Sequence, residues 1–284
     1  MMNTFSNSLK LVKGSLKLVW ENPILFLFPI LGILALVVTV VLLAMFTVGS
    51  SSLLLTMTGD QTQAFASTTI FFVLILFVFI APFSGTFFAV ALSYETGEVL
   101  KGKKPSLSRG IQHALKNLKE IALWALTLIA INILQSILRQ IAQRYGGRHV
   151  PLITDGVISI LMAGWGFATA FVIPIMAFED TNPFDSIKKS VKLLKHTWGE
   201  TLVGGIGAGT VLGLLIIPLF LILFIPFVGI FFIPLFILGV IFIGLLTQVF
   251  NTVFMTVLYL YATEKDTKKA EHYFDKDLIL HSFY

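Results

Sequence analysis

The sequence predicts an all-helical membrane protein that crosses the bilayer six times, as three hairpins each preceded by a short amphipathic helix at the inner surface. Three observations carry that prediction. Only 12% of the 284 residues are charged, against about 25% in an ordinary soluble domain, and mean hydropathy is +0.91. The apolar residues gather into five long uncharged runs. Seventeen of the twenty lysines and arginines fall in four short segments beside those runs.

Taken in order, the chain begins with Phe5, Leu9, Val12, Leu16 and Val19 at helical spacing, with Lys10, Lys13 and Lys17 to one side. The first run, Asn22–Gly59, supplies span one over about 24–48. Its apolar stretch far exceeds the roughly 7–15 residues of a secretory h-region, and no A-x-A-like site follows, so it reads as an uncleaved span. Gln61–Tyr94 supplies span two, over 67–94. Leu107, Ile111, Leu115 and Leu118 then form the stripe of a second surface helix. Ile121–Leu138 and Gly156–Phe178 give spans three and four, over 121–142 and 156–178. A third surface helix follows, with Ile187, Val191, Leu194 and Trp198 opposite Lys188, Lys189, Lys192 and Lys195. Asn182 can cap it, Pro183 suits the first helical position, and Asp185 favours the positive end of the helix dipole. The last run, Thr201–Thr263, is 63 residues long and holds two spans, over 201–225 and 230–262. Each span needs roughly 20 apolar residues. Residues 1–263 thus form one membrane domain, and 264–284 a charged tail. Ser8, Ser106 and Ser186 align as equivalent starts, with Trp20, Leu118 and Trp198 twelve residues on, so the layout reads as three copies of one unit.

Charge sets the orientation. The segments before span one, between spans two and three, between four and five, and after six carry seventeen basic residues, whereas the alternate connections carry Arg139, Arg144 and Arg148. Seventeen against three is a positive-inside signal that places both termini in the cytoplasm. The basic pI of 9.3 therefore points to anionic lipid of the inner leaflet as the partner, not nucleic acid. Trp20 and Trp198 are expected as interfacial anchors, with Lys10, Lys13, Lys17, Lys188, Lys189, Lys192 and Lys195 toward headgroups. The same faces would also suit a soluble protein partner.

Within the spans no Asp, Glu, Lys, Arg or His falls at mid-depth, which argues against proton-coupled or charge-selective transport. Asn132 and Gln135 in span three, and Gln248 and Asn251 in span six, are the strongest polar groups there. Asn132 and Asn251 fall at a common depth, roughly 17–18 Å from the inner boundary at 1.5 Å per residue, so the four amides form an expected polar layer. They read as interhelical hydrogen-bonding groups, or as the lining of a cavity for a neutral or zwitterionic substrate. Gly205, Gly209 and Gly213 repeat every four residues and predict close helix packing, within the chain or in a homo-oligomer. Pro226 to Gly229 reads as the outer turn of the last hairpin, with Pro218 and Pro234 as kinks beside it. Pro82 and Pro174 should kink spans two and four.

Catalytic signatures are absent: no H-E-x-x-H, G-x-S-x-G, P-loop or G-x-G-x-x-G occurs. There are no cysteines, and the five histidines lack metal-ligand spacing, so no cofactor, metal or enzyme activity is expected. Glu179 and Asp180 read as a solvated pair.

Trp165-Gly-Phe-Ala-Thr-Ala-Phe-Val-Ile-Pro174, Phe178-Glu-Asp180, Asn182-Pro183, Ile187-Lys-Lys-Ser190 and His196-Thr-Trp-Gly-Glu200 together carry a resemblance, joined by Ser15-Leu-Lys-Leu-Val-Trp-Glu-Asn-Pro23 and Phe28-Pro29. The chain resembles a domain-of-unknown-function family of prokaryotic six-span integral membrane proteins, which implies a plasma-membrane location. More distantly it is similar to the membrane domain of glycerophosphodiester phosphodiesterases; no hydrolase domain accompanies it, so that activity does not transfer. The resemblance implies no functional residues. The functional expectation is a non-catalytic, membrane-organising or partner-binding protein, with transport of a small neutral or lipid-like substrate as the alternative.

Overall fold

Helix begins almost at once, and in the computed structural model every regular element is helical among the described residues, which are 2–54, 60–145, 150–200, 216–222, 229–263 and 270–274. The helices are α1 (Met2–Glu21), α2 (Leu27–Leu54), α3 (Asp60–Leu100), α4 (Leu107–Lys116), α5 (Leu118–Tyr145), α6 (Val150–Ala168), α7 (Val172–Phe178), α8 (Pro183–Glu200), α9 (Ile216–Ile222), α10 (Gly229–Ala262) and α11 (Ala270–Tyr273). A single 3-10 turn, Pro23–Phe26, joins α1 to α2.

Five stretches among the described residues are long and apolar enough to cross a bilayer: Pro23–Ser50, Phe65–Leu100, Leu118–Arg144, Thr154–Phe178 and Phe232–Ala262. These correspond to five of the six expected spans. The expected span over 201–225 falls mainly on residues outside the described ones, as do Gly205, Gly209 and Gly213 and the turn that opens at Pro226. The helix of the second span runs on past Tyr94 to Leu100 and carries Glu95 and Glu98 within it.

Two units emerge, each with its own interior. One comprises residues Met1–Ile30, Ala89–Asn117 and Gly164–Tyr284; the other comprises Leu31–Phe88 and Leu118–Ala163. In the second unit the exposed surface is largely apolar: Leu34, Leu42, Met45, Phe71, Ile133 and Ile160 are all exposed, Ile160 by 74%. Water would not tolerate so continuous an apolar surface, whereas lipid would. Polar side chains there bond inward to their own helices, Thr39 Oγ1 to the Ala35 carbonyl and Thr127 Oγ1 to the Leu123 carbonyl, each at 2.8 Å. A hydroxyl has no other way to be satisfied among acyl chains. Arg139 and Asp155 pair at 3.5 Å between α5 and α6, both exposed.

The first unit has the denser core. α10 packs on α1, α7 and α8, and α1 packs on α8 and α11. Leu18, Val19, Leu25, Phe28, Phe171, Ile175, Phe250 and Phe254 are almost fully buried within it. α1, α4 and α8, the three helices expected at the inner surface, meet that core with small residues. α1 buries Gly14 and Ser15 beside Leu18 and Val19; α4 buries Gly110 and Ala114; α8 buries Ser186 and Ser190 beside Leu194. Short side chains let helix backbones come close. The expected apolar stripes are therefore only partly turned inward, and Leu115 of α4 is 50% exposed.

Two prolines behave differently from each other. Pro82 sits inside an unbroken α3. At Pro174 the helix ends at Ala168 and restarts at Val172, a break where a kink was expected. The break frees the Phe171 backbone N–H, and the buried hydroxyl of Ser190 on α8 accepts from it at 3.1 Å.

Candidate functional site

Charged and aromatic side chains converge where α3, α4, α7, α8 and α10 meet in the first unit. The convergence starts with the way α3 stops. Gly102 adopts φ +89°, which glycine reaches without steric cost, and Gly102 N–H donates to the Val99 carbonyl while Lys103 N–H donates to that of Glu98. Pro105 then leads into Ser106, whose hydroxyl accepts from the Arg109 N–H and caps α4.

That reversal returns Arg109 onto α3. Its Nε donates to Glu95 Oε1 at 2.8 Å and its Nη2 to Glu95 Oε2 at 2.6 Å, while the Ser106 N–H donates to Oε2 at 2.8 Å. The Glu95 side chain is wholly buried and that of Arg109 is 33% exposed. A bidentate guanidinium with a third donor is the arrangement that makes a buried carboxylate tolerable. The Glu95 hydrogen bonds raise the Arg109 pKa against the opposing effect of burial. Glu98, one turn on, accepts from Lys101 at 2.9 Å and Lys103 at 2.5 Å. α4 can lie this close because residue 110 is glycine: a Cβ there would stand 2.7 Å from the Phe28 ring and 2.9 Å from Glu95 Cγ.

His113, one turn along α4, stacks flat on Tyr94 with centroids 3.8 Å apart and ring planes 7° from parallel. Its Nε2 donates to the Ala177 carbonyl at 2.8 Å, so the Nε2-protonated tautomer is the one held. Burial pushes the His113 pKa down, the nearby Lys116 charge acts in the same direction, and the Ala177 carbonyl opposes both. The aromatic run continues from Tyr94 to Phe178 and from Phe178 to Tyr259, at 6.2 and 5.8 Å between centroids. Tyr259 Oη donates to Glu179 Oε1 at 2.6 Å, and Lys189 donates to Glu179 Oε2 at 2.5 Å. Glu179 is thus half-buried and bonded from two helices, which corrects its expected place in a solvated pair; Asp180 beside it is exposed. The acid at the end of α3 is held by Arg109, three residues after Ser106, and the acid following α7 by Lys189, three residues after Ser186.

The expected basic residues are mostly exposed. Lys13, Lys192 and Lys195 are exposed, Lys188 pairs with Asp185 at 3.3 Å, and Lys17 lies 3.8 Å from Glu21. The α8 start is as expected, Asn182 Oδ1 accepting from the Asp185 N–H at 3.0 Å. Trp20 is 63% exposed, Phe184 68%. The side chains of Lys10 and Trp198 fall outside the described ones.

Of the four amides, Asn132 and Gln135 belong to the second unit, and Gln248 and Asn251 to the first. Asn132 is exposed and donates to the Leu128 carbonyl of its own helix at 2.8 Å. Gln135 and Gln248 are half-buried. Asn251 Oδ1 is buried and has no hydrogen-bond partner among the described residues. Among those residues no three His, Cys, Asp or Glu side chains gather as a metal site.

Sequence reasoning missed Glu95, Glu98, Arg109, His113 and Tyr259. The available signal was Glu95 and Glu98 one helical turn apart, followed by Gly102, Pro105, Ser106 and Arg109: a helix stop, a restart, and a cation placed to fold back.

No curated protein matches this chain, and neither does any solved structure. A family profile does, over residues 68–269, a stretch that contains both acid–cation pairs and the whole aromatic run. With well over half its length matched in that way, this chain belongs to DUF6159, a family of unknown function.

Proposed function

We propose that this chain is a non-catalytic, membrane-organising protein of six spans, whose basic inner face holds anionic lipid headgroups or an acidic protein partner. The observation that carries the reading is the division of the three surface helices. Each turns small residues to the protein core and leaves a large apolar side chain exposed beside lysine: Trp20 near Lys17 on α1, Leu115 near Lys116 on α4, Phe184 near Lys188 on α8. Apolar side chains of that kind enter the acyl boundary while lysines reach headgroups. The seventeen-to-three distribution of basic residues supports cytoplasmic termini. The matching pairs Glu95–Arg109 and Glu179–Lys189, each set three residues after an aligned serine, support a repeated unit of surface helix and hairpin. The prokaryotic plasma-membrane location and the distant likeness to glycerophosphodiester phosphodiesterase membrane domains rest on sequence resemblance, and neither adds an activity.

The test is lipid retention. Each juxtamembrane lysine contributes about 1 kcal/mol toward anionic lipid, so a Lys13→Gln/Lys192→Gln/Lys195→Gln variant should lose roughly 3 kcal/mol. Native mass spectrometry of gently released protein should show bound phosphatidylglycerol in the parent and strong depletion in the variant. Equal retention in both would overturn the reading.

A second reading, passage or binding of a small neutral substrate, is favoured by the buried Asn251 Oδ1, which has no hydrogen-bond partner among the described residues. Such an oxygen lacks a donor that a bound amide or hydroxyl would supply, at a cost of about 1–3 kcal/mol while unmet. A small-molecule adduct lost in an Asn132→Ala/Asn251→Ala variant would support it; a protein that carries none refutes it.

A further inference from the structure

α11 and the residue after it are fastened to α1 by contacts from 251 or more residues away. Lys17 Nζ donates to the His272 carbonyl at 3.0 Å and stands 5.8 Å from the Tyr273 ring centroid. Glu21 Oε2 meets His272 Nε2 at 3.1 Å, and Asn22 Nδ2 donates to Tyr273 Oη at 3.2 Å. Phe274, 2% exposed, lies on Gly14, where any Cβ would collide with its ring, and makes an edge contact with Tyr261 at 6.0 Å.

This fastening is more open to water than the Glu95–Arg109 pair. Glu95 is wholly buried under Arg109, whereas Lys17, Glu21 and His272 are 46%, 41% and 57% exposed. Water and salt weaken exposed charge contacts, so they hold only lightly. Among the described residues, the deeply buried apolar side chain of this segment is Phe274, and it supplies the remaining grip. The groups around Lys17 are a carbonyl oxygen, a carboxylate and an aromatic face, all of them acceptors for its charge. A phosphate would replace all three. Lys17 lies three residues before the exposed Trp20 and six before Pro23, where the first span begins, which is about 9 Å at 1.5 Å per residue and suits headgroup depth.

We propose that Ala270–Phe274 is a releasable strap on α1, and that anionic headgroups compete with it for Lys17. The inference rests on the reading of the basic face as a lipid-binding surface and adds its regulation. When Lys17 engages lipid, the strap loses its bond to the His272 carbonyl and the charge over the Tyr273 ring, and is left on Phe274 and the exposed contacts to Glu21 and Asn22; when the strap is down, α1 offers Lys13 but not Lys17.

The experiment is hydrogen exchange of the whole chain in nanodiscs of phosphatidylcholine and in nanodiscs containing phosphatidylglycerol. The amides of 270–274 should exchange severalfold faster in the anionic discs, and Lys17→Gln should abolish the difference between the two lipids. Phe274→Ala, which removes the anchor, should bring the neutral-disc rate close to the anionic-disc rate. Exchange that is equal in both lipids overturns the strap. If phosphatidylglycerol is nevertheless retained by native mass spectrometry, the strap alone has failed; if it is not retained, the lipid-binding reading has failed with it. A lipid-dependent rate that survives in Lys17→Gln also overturns the proposal, since the competition would then involve some other group.

Discussion

Removing Arg109 should cost more than neutralising Glu95, although the two belong to one ion pair. In Arg109→Met the Glu95 carboxylate stays fully buried and keeps only the Ser106 N–H as a close donor. Breaking a buried pair by deleting one partner typically costs about 3–5 kcal/mol. Because Arg109 is itself 33% exposed and the Ser106 bond survives, the expected loss is nearer to about 2–3 kcal/mol. In Glu95→Gln the order of exposure works the other way. The guanidinium can turn toward water and still donate to the Lys104 carbonyl, and glutamine still accepts from Ser106. About 1 kcal/mol is expected there, the usual scale of one net hydrogen bond. At about 2–4 °C per kcal/mol for a chain of this size class, Arg109→Met should melt roughly 5–10 °C below the parent and Glu95→Gln only a few degrees below. The assay is thermal unfolding followed by tryptophan fluorescence in one fixed detergent. A Glu95→Met/Arg109→Met double variant should recover part of the loss, because no lone charge remains. Equal melting points for the two single variants, or the reverse order, would refute the argument from unequal burial.

Three further outcomes follow from the same geometry. Ser190→Ala should destabilise by about 1–3 kcal/mol, by leaving the Phe171 N–H buried without an acceptor, and exchange at 169–172 should rise; unchanged exchange there would remove the hydroxyl from the account. Gly110→Ala should cost about 1–3 kcal/mol by forcing Phe28 and Glu95 apart, with partial recovery on adding Phe28→Leu, as measured by the same melting assay. The His113 pKa is lowered in the folded chain, so the unfolded chain takes up that proton more readily. Stability should therefore be full above about pH 6.5 and decline as pH falls below it, and His113→Gln should flatten that decline between pH 7 and 5. A profile of the same slope in both proteins would assign the acid sensitivity elsewhere.

Hydropathy alone located the helices of the second unit, because a side chain facing acyl chains is chosen by solvent and needs no knowledge of its neighbours. The cap at Asn182 and Pro183 was legible for a related reason: capping is settled within four residues. The joint of the first unit was not legible in the same way. Glu95 looks like the first charge of a loop until the left-handed Gly102 and the Ser106 cap show that the chain reverses within a few residues and brings Arg109 back. Glu179 looks solvated beside Asp180 because its partners, Tyr259 and Lys189, come from elsewhere in the chain. The surface stripes were read from large apolar residues, of which Val19 and Leu194 do turn inward, but Gly14, Ser15, Gly110, Ser186 and Ser190 are buried beside them. Small residues leave no hydropathy signal, yet they decide how near two backbones can lie.

The bond between Phe171 and Ser190 also has a consequence in time. Its two partners are 19 residues apart, and translation at about 5–20 residues per second separates their synthesis by roughly 1–4 s. Through that interval the interrupted helix around Thr169–Phe171 must wait with an unmet amide, sheltered by water or by the insertion machinery. Arg109 follows Glu95 by 14 residues and Lys189 follows Glu179 by 10, so those fastenings wait roughly 0.5–3 s on the same scale. The contact between Lys17 and His272 has to await 255 further residues, that between Ser93 and Thr256 another 163, and that between Glu179 and Tyr259 another 80. Assembly of the first unit thus combines closures made within seconds with others that wait for much later segments.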